Sequence, residues 1–282
     1  MAEVKTNIFG SVNRFRAFTA VKYLTYALLS INVLLFLQAE LLALEHTFAG
    51  SIKPWQFIQS FAETVDTAAW VVLLLLFELE TSVLDDSRIR GGVQVALHGV
   101  RGLCYLVIGY AFTGYFAELV TLYDVVPFPG MDPCTLLGQD FSILVGLDDY
   151  LPIDAENCVT LGANPFQFVG FSILSGAATL ESAQYLGWAD VINAATWILV
   201  CVVLEVEVRL QLRGRLSDRI MTATKYLKFS LYGILFCAAI YWGFRGDFLD
   251  FWDACLWLFA FIFIELNVFE WQFETTHEEN KA

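Results

Sequence analysis

Positive charge is scarce in this chain, and the scarcity limits what the protein can be. Lysine and arginine number 16 against 30 aspartates and glutamates, a formal net charge of −14 at pH 7. Nucleic-acid binding needs a basic face that neutralises phosphates, so we expect no nucleic-acid partner. Charged residues of both signs make up only 16% of the chain, while 57% of residues are apolar. Soluble domains carry about 25% charged residues, so this composition predicts a protein whose main partner is the lipid bilayer.

Residues that carry catalysis and metal binding are also few. The three histidines, His46, His98 and His277, each stand alone in the sequence. The sequence contains no HExxH, GxSxG, P-loop or GxGxxG motif, and no cysteine–histidine spacing typical of zinc or an iron–sulfur cluster. Haem in a helical bundle needs axial ligands inside the membrane, which these histidines do not offer. We therefore expect neither an enzyme nor a cofactor, and the sequence identifies no metal site.

Six stretches are long and apolar enough to cross a bilayer, for which roughly 20 residues are needed. None of the six prolines falls in these stretches, which are residues 23–44, 64–84, 102–123, 189–208, 226–244 and 252–272. The pattern predicts an all-α, polytopic membrane protein. Its six transmembrane helices would form three tandem helical hairpins.

The basic residues fall almost entirely on one side of these spans. Only Lys53 and Arg245 lie on the other side. Because basic residues are retained in the cytoplasm, this distribution predicts that both termini are cytoplasmic. The corresponding location is a bacterial inner (plasma) membrane.

The connection between the third and fourth spans, residues 124–187, is acidic and lies on the exported side in this topology. It holds the only two cysteines outside the spans, Cys134 and Cys158, and an oxidising compartment favours a disulfide between them. The predicted division of the chain therefore has three parts. They are an interfacial helix with the first hairpin (1–87), the second hairpin with the exported loop (88–214), and the third hairpin with an acidic tail (215–282).

A seventh apolar run, residues 166–180, is too short to span a bilayer. It is rich in small residues and ends near Thr179 and Glu181, just before a span. Two interpretations stay open at this point. The run is either a re-entrant pore helix or an amphipathic segment on the outer leaflet.

A pattern centred on tryptophan occurs three times, at Trp70, Trp197 and Trp257. The residues seven and four positions before each tryptophan are acids or an amide: Glu63, Asp66, Asp190, Asn193, Asp250 and Asp253. The residues eight and ten positions after it are of the same kind: Glu78, Glu80, Glu205, Glu207, Glu265 and Asn267. At 1.5 Å per residue the first set falls near the outer interface and the second near the inner one. The pattern predicts a parallel repeat of one hairpin.

The acidic positions admit two functions. Carboxylates at membrane depth often mark ion paths, and acidic rings favour cations, so the protein would conduct inorganic cations or couple to them. Alternatively, Lys22, Arg101 and Lys225 at the inner ends of the partner spans form interhelical ion pairs with the acids. The protein would then be a non-catalytic accessory or scaffold subunit of a larger membrane complex. We favour the first, and in both cases expect a homo-oligomer or a larger assembly.

Overall fold

The computed structural model describes residues 12–47, 56–84, 90–128, 130, 132–162, 164–212 and 217–279. The helices in this part of the chain are α1 (Val12–Thr47), α2 (Phe57–Ser60), α3 (Ala62–Glu78), α4 (Gly92–Tyr123), α5 (Ala177–Leu212), α6 (Asp218–Arg245) and α7 (Phe248–Glu279). A π-helical turn, Leu79–Val83, extends α3. All of these helices except α2 are long, and they form the body of the protein.

Four helices, α1, α4, α5 and α6, are long and apolar enough to cross a membrane. Their outer surfaces expose large apolar side chains such as Leu34 (65% exposed), Leu106 (74%) and Phe229 (78%). Large exposed apolar surfaces of this kind are typical of contact with lipid or a partner. The prediction of a predominantly helical chain with helices long and apolar enough to span a membrane is thus confirmed. Six spans and the tandem repeat stay predictions.

Local sequence sets both ends of α6. The Ser217 hydroxyl caps the start of α6 by accepting a hydrogen bond from the Ile220 N–H at 3.4 Å. Gly246 ends α6 in the left-handed conformation, with φ at 86°, and its N–H donates to the Trp242 carbonyl at 3.0 Å. The chain reverses at once, so that α7 packs against α6 from its first turn.

The residues between α4 and α5 form a five-stranded sheet, so the all-α prediction is wrong for this part. The strands are β1 (Val125–Pro127), β2 (Ser142–Leu144), β3 (Tyr150–Pro152), β4 (Phe166–Phe168) and β5 (Ile173–Ser175). Their order is β1-β4-β5-β2-β3, and the pairs are antiparallel except β2 with β5, which is parallel. The exported loop predicted for residues 124–187 is therefore a folded unit followed by the start of α5.

The apolar run 166–180 lies inside this sheet and is not a re-entrant helix. It forms β4, β5 and the first turn of α5. Thr179 and Glu181 lie at the start of α5, and Glu181 is exposed. The segment is apolar because its strands are buried on one or both faces, and burial in a sheet and burial in lipid give the same composition.

The sheet is covered on both faces by apolar side chains. One face, with Ile143 and Leu174, packs on the loop segments around Leu136 and Leu161. Cys134 and Cys158 join two of these segments in the predicted disulfide, with their Cα atoms 5.1 Å apart. The other face packs on the ends of α5, α6 and α7, with contacts that include Leu144, Phe168, Leu180, Ala183 and Trp242. The sheet is thereby fixed to the acid-rich end of the helices.

Candidate functional site

Trp70, Trp197 and Trp257 meet at the centre of the helix bundle. Their ring centroids lie 6.3, 6.3 and 6.4 Å apart, and all three side chains are buried. These distances and the inclined ring planes are typical of favourable aromatic pairs. The three tryptophans, which we call the tryptophan layer, bring α3, α5 and α7 together around one point.

A cavity of about 50 Å³ lies directly above the tryptophan layer. We call it the central chamber. The residues seven and four positions before each tryptophan all line it: Glu63, Asp66, Asp190, Asn193, Asp250 and Asp253. A water molecule needs about 10–15 Å³ of such space, so the central chamber has room for a few waters. Among the described residues, no lysine, arginine or histidine lines it.

Neutral donors from several helices hold the carboxylates of the central chamber. The Asn32 amide of α1 donates to Asp253 Oδ1 at 2.7 Å, and the Trp242 indole of α6 donates to Asp190 Oδ1 at 3.1 Å. Two of the layer's indoles, Trp70 and Trp257, direct their N–H groups at the carboxylate one turn earlier on the same helix. The buried Asn193 Oδ1 has no hydrogen-bond partner among the described residues. Hydrogen bonds thus orient the acids without supplying a counter-charge.

A second cavity, of about 70 Å³, lies beside the central chamber between α1, α2, α3, α4 and the sheet. We call it the lateral cavity. Its acidic lining residues are Glu40, Glu63, Glu118 and Asp148, and no basic side chain from the described part of the chain lines it. Glu63 therefore belongs to the walls of both cavities. The Glu118 and Asp148 carboxyl groups, one on α4 and one on the sheet unit, lie next to each other at this cavity.

Glu40 has a structural task in the lateral cavity. One of its oxygens, Oε1, accepts hydrogen bonds from the backbone N–H groups of Glu63 at 2.9 Å and Thr64 at 3.2 Å. The Thr64 hydroxyl donates to the other oxygen. Glu40 on α1 thus caps the N-terminus of α3, where the first N–H groups of a helix lack partners and negative charge is favoured.

Asp148 lines the lateral cavity from the sheet unit, between β2 and β3. Burial raises its pKa from 3.8 to about 6, and the negative charges of Asp247 and Asp149 add to that effect. The pKa of its neighbour Tyr150 is raised well above 10 by the same burial. Both side chains are therefore neutral over a wider pH range than in water.

The described acids after Trp70 and Trp197 lie at the other end of the bundle, in ion pairs. Lys22 Nζ lies 2.7 Å from Glu78 Oε1, which also accepts a hydrogen bond from the Tyr23 hydroxyl at 3.0 Å. Arg101 pairs with Glu80, which the π-helical turn carries. This end of the bundle is thus held largely by opposite charges, in contrast to the central chamber.

The second copy of the pattern has a different set of partners. Glu205 accepts a hydrogen bond from Tyr105 at 3.1 Å and lies 3.5 Å from Arg209. Glu207 pairs at 2.8 Å with Lys228. The predicted partner Lys225 lies one turn before Lys228, and its side chain is exposed. The side chains of Glu265 and Asn267 lie outside the described residues. The structure therefore brings the outer predicted residues into one cavity, whereas the described inner ones are spread over separate pairs.

Several site residues were missed from the sequence. Glu40 and Glu118 are single carboxylates inside predicted spans, which is itself a signal of a functional position. Tyr115 and Trp242 line the central chamber but look like ordinary apolar-span residues. Asp148 carried no signal, because its place depends on how the sheet packs against the helices.

Comparisons with known proteins add no family to this description. No protein-family model matches the chain, and no curated protein or solved structure matches it.

Proposed function

We propose that this protein is a membrane protein that binds cations in the central chamber and conducts them or couples to them. One observation carries the proposal: all six residues at the two outer positions of the tryptophan pattern line one cavity, and none of the other described residues that line it is basic. Five of the six are carboxylates. Negative charges a few ångströms apart repel each other strongly in a protein interior, so such a cavity favours positively charged occupants.

The tryptophan layer bears on how cations would move. It packs across the bundle axis below the central chamber, with ring centroids 6.3–6.4 Å apart. This arrangement supports movement controlled by the helices that carry the tryptophans, rather than an open pore. The proposal therefore includes coupled or gated transport.

The proposal also includes the predicted topology. In it all six long helices span the membrane as three tandem hairpins, both termini are cytoplasmic, and the sheet unit faces the exported side of a bacterial inner membrane. The positions of the basic residues support this orientation. The central chamber would then open on the exported side.

A second candidate function, a non-catalytic accessory subunit of a larger membrane complex, is favoured by the inner ion pairs. Lys22–Glu78, Arg101–Glu80 and Lys228–Glu207 neutralise acids that the first interpretation would leave available to cations. In this alternative the acids stabilise the packing of the helices through ion pairs, and the exposed apolar faces of the helices bind the partner subunit.

The experiment that separates the two uses purified protein in liposomes, with proton, sodium and potassium flux measured at both signs of voltage. A chamber variant, Asp66→Asn with Asp253→Asn, is compared with an exposed control, Glu181→Gln. Asn at the equivalent position 193 shows that an amide is accommodated there. Loss of flux in the chamber variant alone supports the proposal. Flux unaffected by the chamber variant places the path elsewhere, and no flux from the wild type favours the accessory subunit.

A further inference from the structure

We propose that protons are the cations that this protein moves, and that they enter the central chamber from the lateral cavity through the Glu63 carboxylate. This inference rests on the proposed function and deepens it, since it names the cargo and the entrance. It depends on the position of Glu63, the shape of the two cavities and the contacts of the carboxyl groups around them.

Of the acids in the described ranges, Glu63 alone lines both cavities. Its backbone N–H is engaged with Glu40, but among the described residues no group donates a hydrogen bond to its carboxylate. The negative charges that act on it come from both sides, from Asp148 and Glu40 around the lateral cavity and from Asp190 and Asp250 around the central chamber. A carboxylate that faces two polar cavities, and that receives neither a donor nor a counter-charge from the described residues, is placed to accept a proton.

The sheet unit directs entry to the lateral cavity. It covers the ends of α5, α6 and α7 through apolar contacts such as Phe168 and Ile173 with Leu180 and Trp242. The lateral cavity lies beside this covered region, where α1, α2 and α4 meet the edge of the sheet unit. A path from the sheet side therefore passes Asp148 and Glu118 before it reaches Glu63.

Protons suit these cavities better than metal ions do. At about 50 and 70 Å³ the cavities hold only a few waters each, which is too little for a metal ion with its full hydration shell. Within the described residues no group of three acidic, histidine or cysteine side chains is arranged to hold a metal ion. The Glu118 and Asp148 carboxyls lie next to each other at the lateral cavity, and two neighbouring carboxylates disfavour each other's ionised form, so the pair favours holding a proton.

The transfer step balances simply. Glu63 forms an O–H bond with a proton given up by a water molecule or by the Glu118–Asp148 pair, and the donor keeps the electron pair of the broken O–H bond. Glu63 then releases the proton to a water or a carboxylate of the central chamber and returns to its ionised form. No oxidant, reductant or other reactant is needed.

The test is proton uptake into liposomes containing a pH-sensitive dye, driven by a potassium gradient with valinomycin, beside sodium and potassium flux in the same preparation. Glu63→Gln and Asp148→Asn are compared with Asp149→Asn, which changes the exposed neighbouring acid. Gel filtration and tryptophan fluorescence check that each variant folds. Asp148 lies outside the helices, so Asp148→Asn gives a result even if Glu63→Gln fails to fold.

We expect both site variants to lose proton uptake by roughly a hundredfold, the low end of what a positioned proton-transfer group contributes, while Asp149→Asn stays at the wild-type rate. Wild-type uptake in both site variants would overturn the entrance through Glu63 and leave the proposed function standing. Sodium or potassium flux without proton flux would overturn the choice of the proton. No flux of any cation in the wild type would overturn the proposed function as well.

Discussion

Lys22 Nζ lies 2.7 Å from Glu78 Oε1, and both side chains are nearly inaccessible, at 7% and 6% exposure. The pair joins α1 to α3 at the end of the bundle away from the central chamber. Its second oxygen, Glu78 Oε2, is buried without a hydrogen-bond partner among the described residues. A buried pair of this kind costs desolvation, so its loss has a different effect when one partner or both partners are removed.

Replacing one partner, as in Glu78→Gln, is expected to destabilise the protein by about 3–5 kcal/mol, because it leaves the Lys22 charge buried and unpaired. The double variant Lys22→Met with Glu78→Leu is expected to recover most of that loss. Thermal unfolding in detergent measures both. The exposed partner Arg209, 72% exposed beside Glu205, is the control, and Arg209→Gln should change stability by less than about 1 kcal/mol. Equal small effects for Glu78→Gln and Arg209→Gln would contradict the structural importance of the inner pair.

The tryptophan layer is expected to be a main source of stability for the bundle. Trp197 contacts Trp70, Trp257 and Phe261, the last at a centroid distance of 4.5 Å. Trp197→Ala should therefore cost about 3–5 kcal/mol through the cavity that it leaves. Trp188, which is 44% exposed, provides the matched control, and Trp188→Ala should cost much less. Similar unfolding temperatures for the two variants would show that the layer is not a packed core.

Gly114 marks the closest approach of α4 to α2 and α3. A Cβ atom added there would lie 2.5 Å from the Ile58 carbonyl oxygen and 2.9 Å from the Ala62 Cβ, so Gly114→Ala should destabilise by about 1–3 kcal/mol. Gly109, on the same helix, has nothing within 4 Å of its added Cβ. Gly109→Ala should leave stability unchanged or raise it by up to about 1 kcal/mol, because alanine is the better helix former. Unfolding temperatures that move in the same direction would refute this packing.

The stability of the sheet unit should depend on pH through Asp148. Its pKa is raised by burial from 3.8 to about 6 in the folded protein, so the protonated form favours folding. This contribution is fully present below about pH 4 and is lost as the pH rises through 6. Asp148→Asn mimics the neutral acid, so the variant should match the wild type near pH 4 and unfold at a higher temperature than the wild type at pH 7.

The control for this pH dependence is Asp149→Asn. Asp149 is exposed and acts on the pKa of Asp148 only as a minor contribution through its charge, so the difference in unfolding temperature between this variant and the wild type should vary with pH much less than that of Asp148→Asn. A pH-independent difference for Asp148→Asn would show that the Asp148 carboxyl is ionised at neutral pH without cost.

The helices, and the grouping of the acids that precede each tryptophan, could be predicted from the sequence for a physical reason. Apolar runs longer than a bilayer leave few alternatives to a helix, and offsets such as −7 and −4 from a tryptophan lie on one side of a helix. Glu63 and Asp66 could therefore be grouped with Asp190 and Asp253 before it was known that all four line one cavity. The ion-pair partners of the acids could not be predicted. Which basic residue on a neighbouring helix faces a given acid depends on how the two helices are rotated about their axes, and on local features such as the π-helical turn that carries Glu80.

The sheet was not predictable by the same means. Each of its strands is three residues long, too short for an alternating pattern to be visible, and Ile173 and Leu174 are both buried although they point to opposite faces. The lateral cavity depends on this sheet, so Asp148 could not be assigned to it from sequence. The disulfide was predictable because only Cys134 and Cys158 lie outside the spans.

Cation flux by the wild-type protein tests the central claim most directly. Pure protein in liposomes is compared with empty liposomes for proton, sodium and potassium movement at both signs of voltage. The proposed function predicts flux of at least one of these cations, and the entrance through Glu63 predicts that it is the proton. Protein-containing liposomes that are as tight as empty ones to all three cations would contradict the claim.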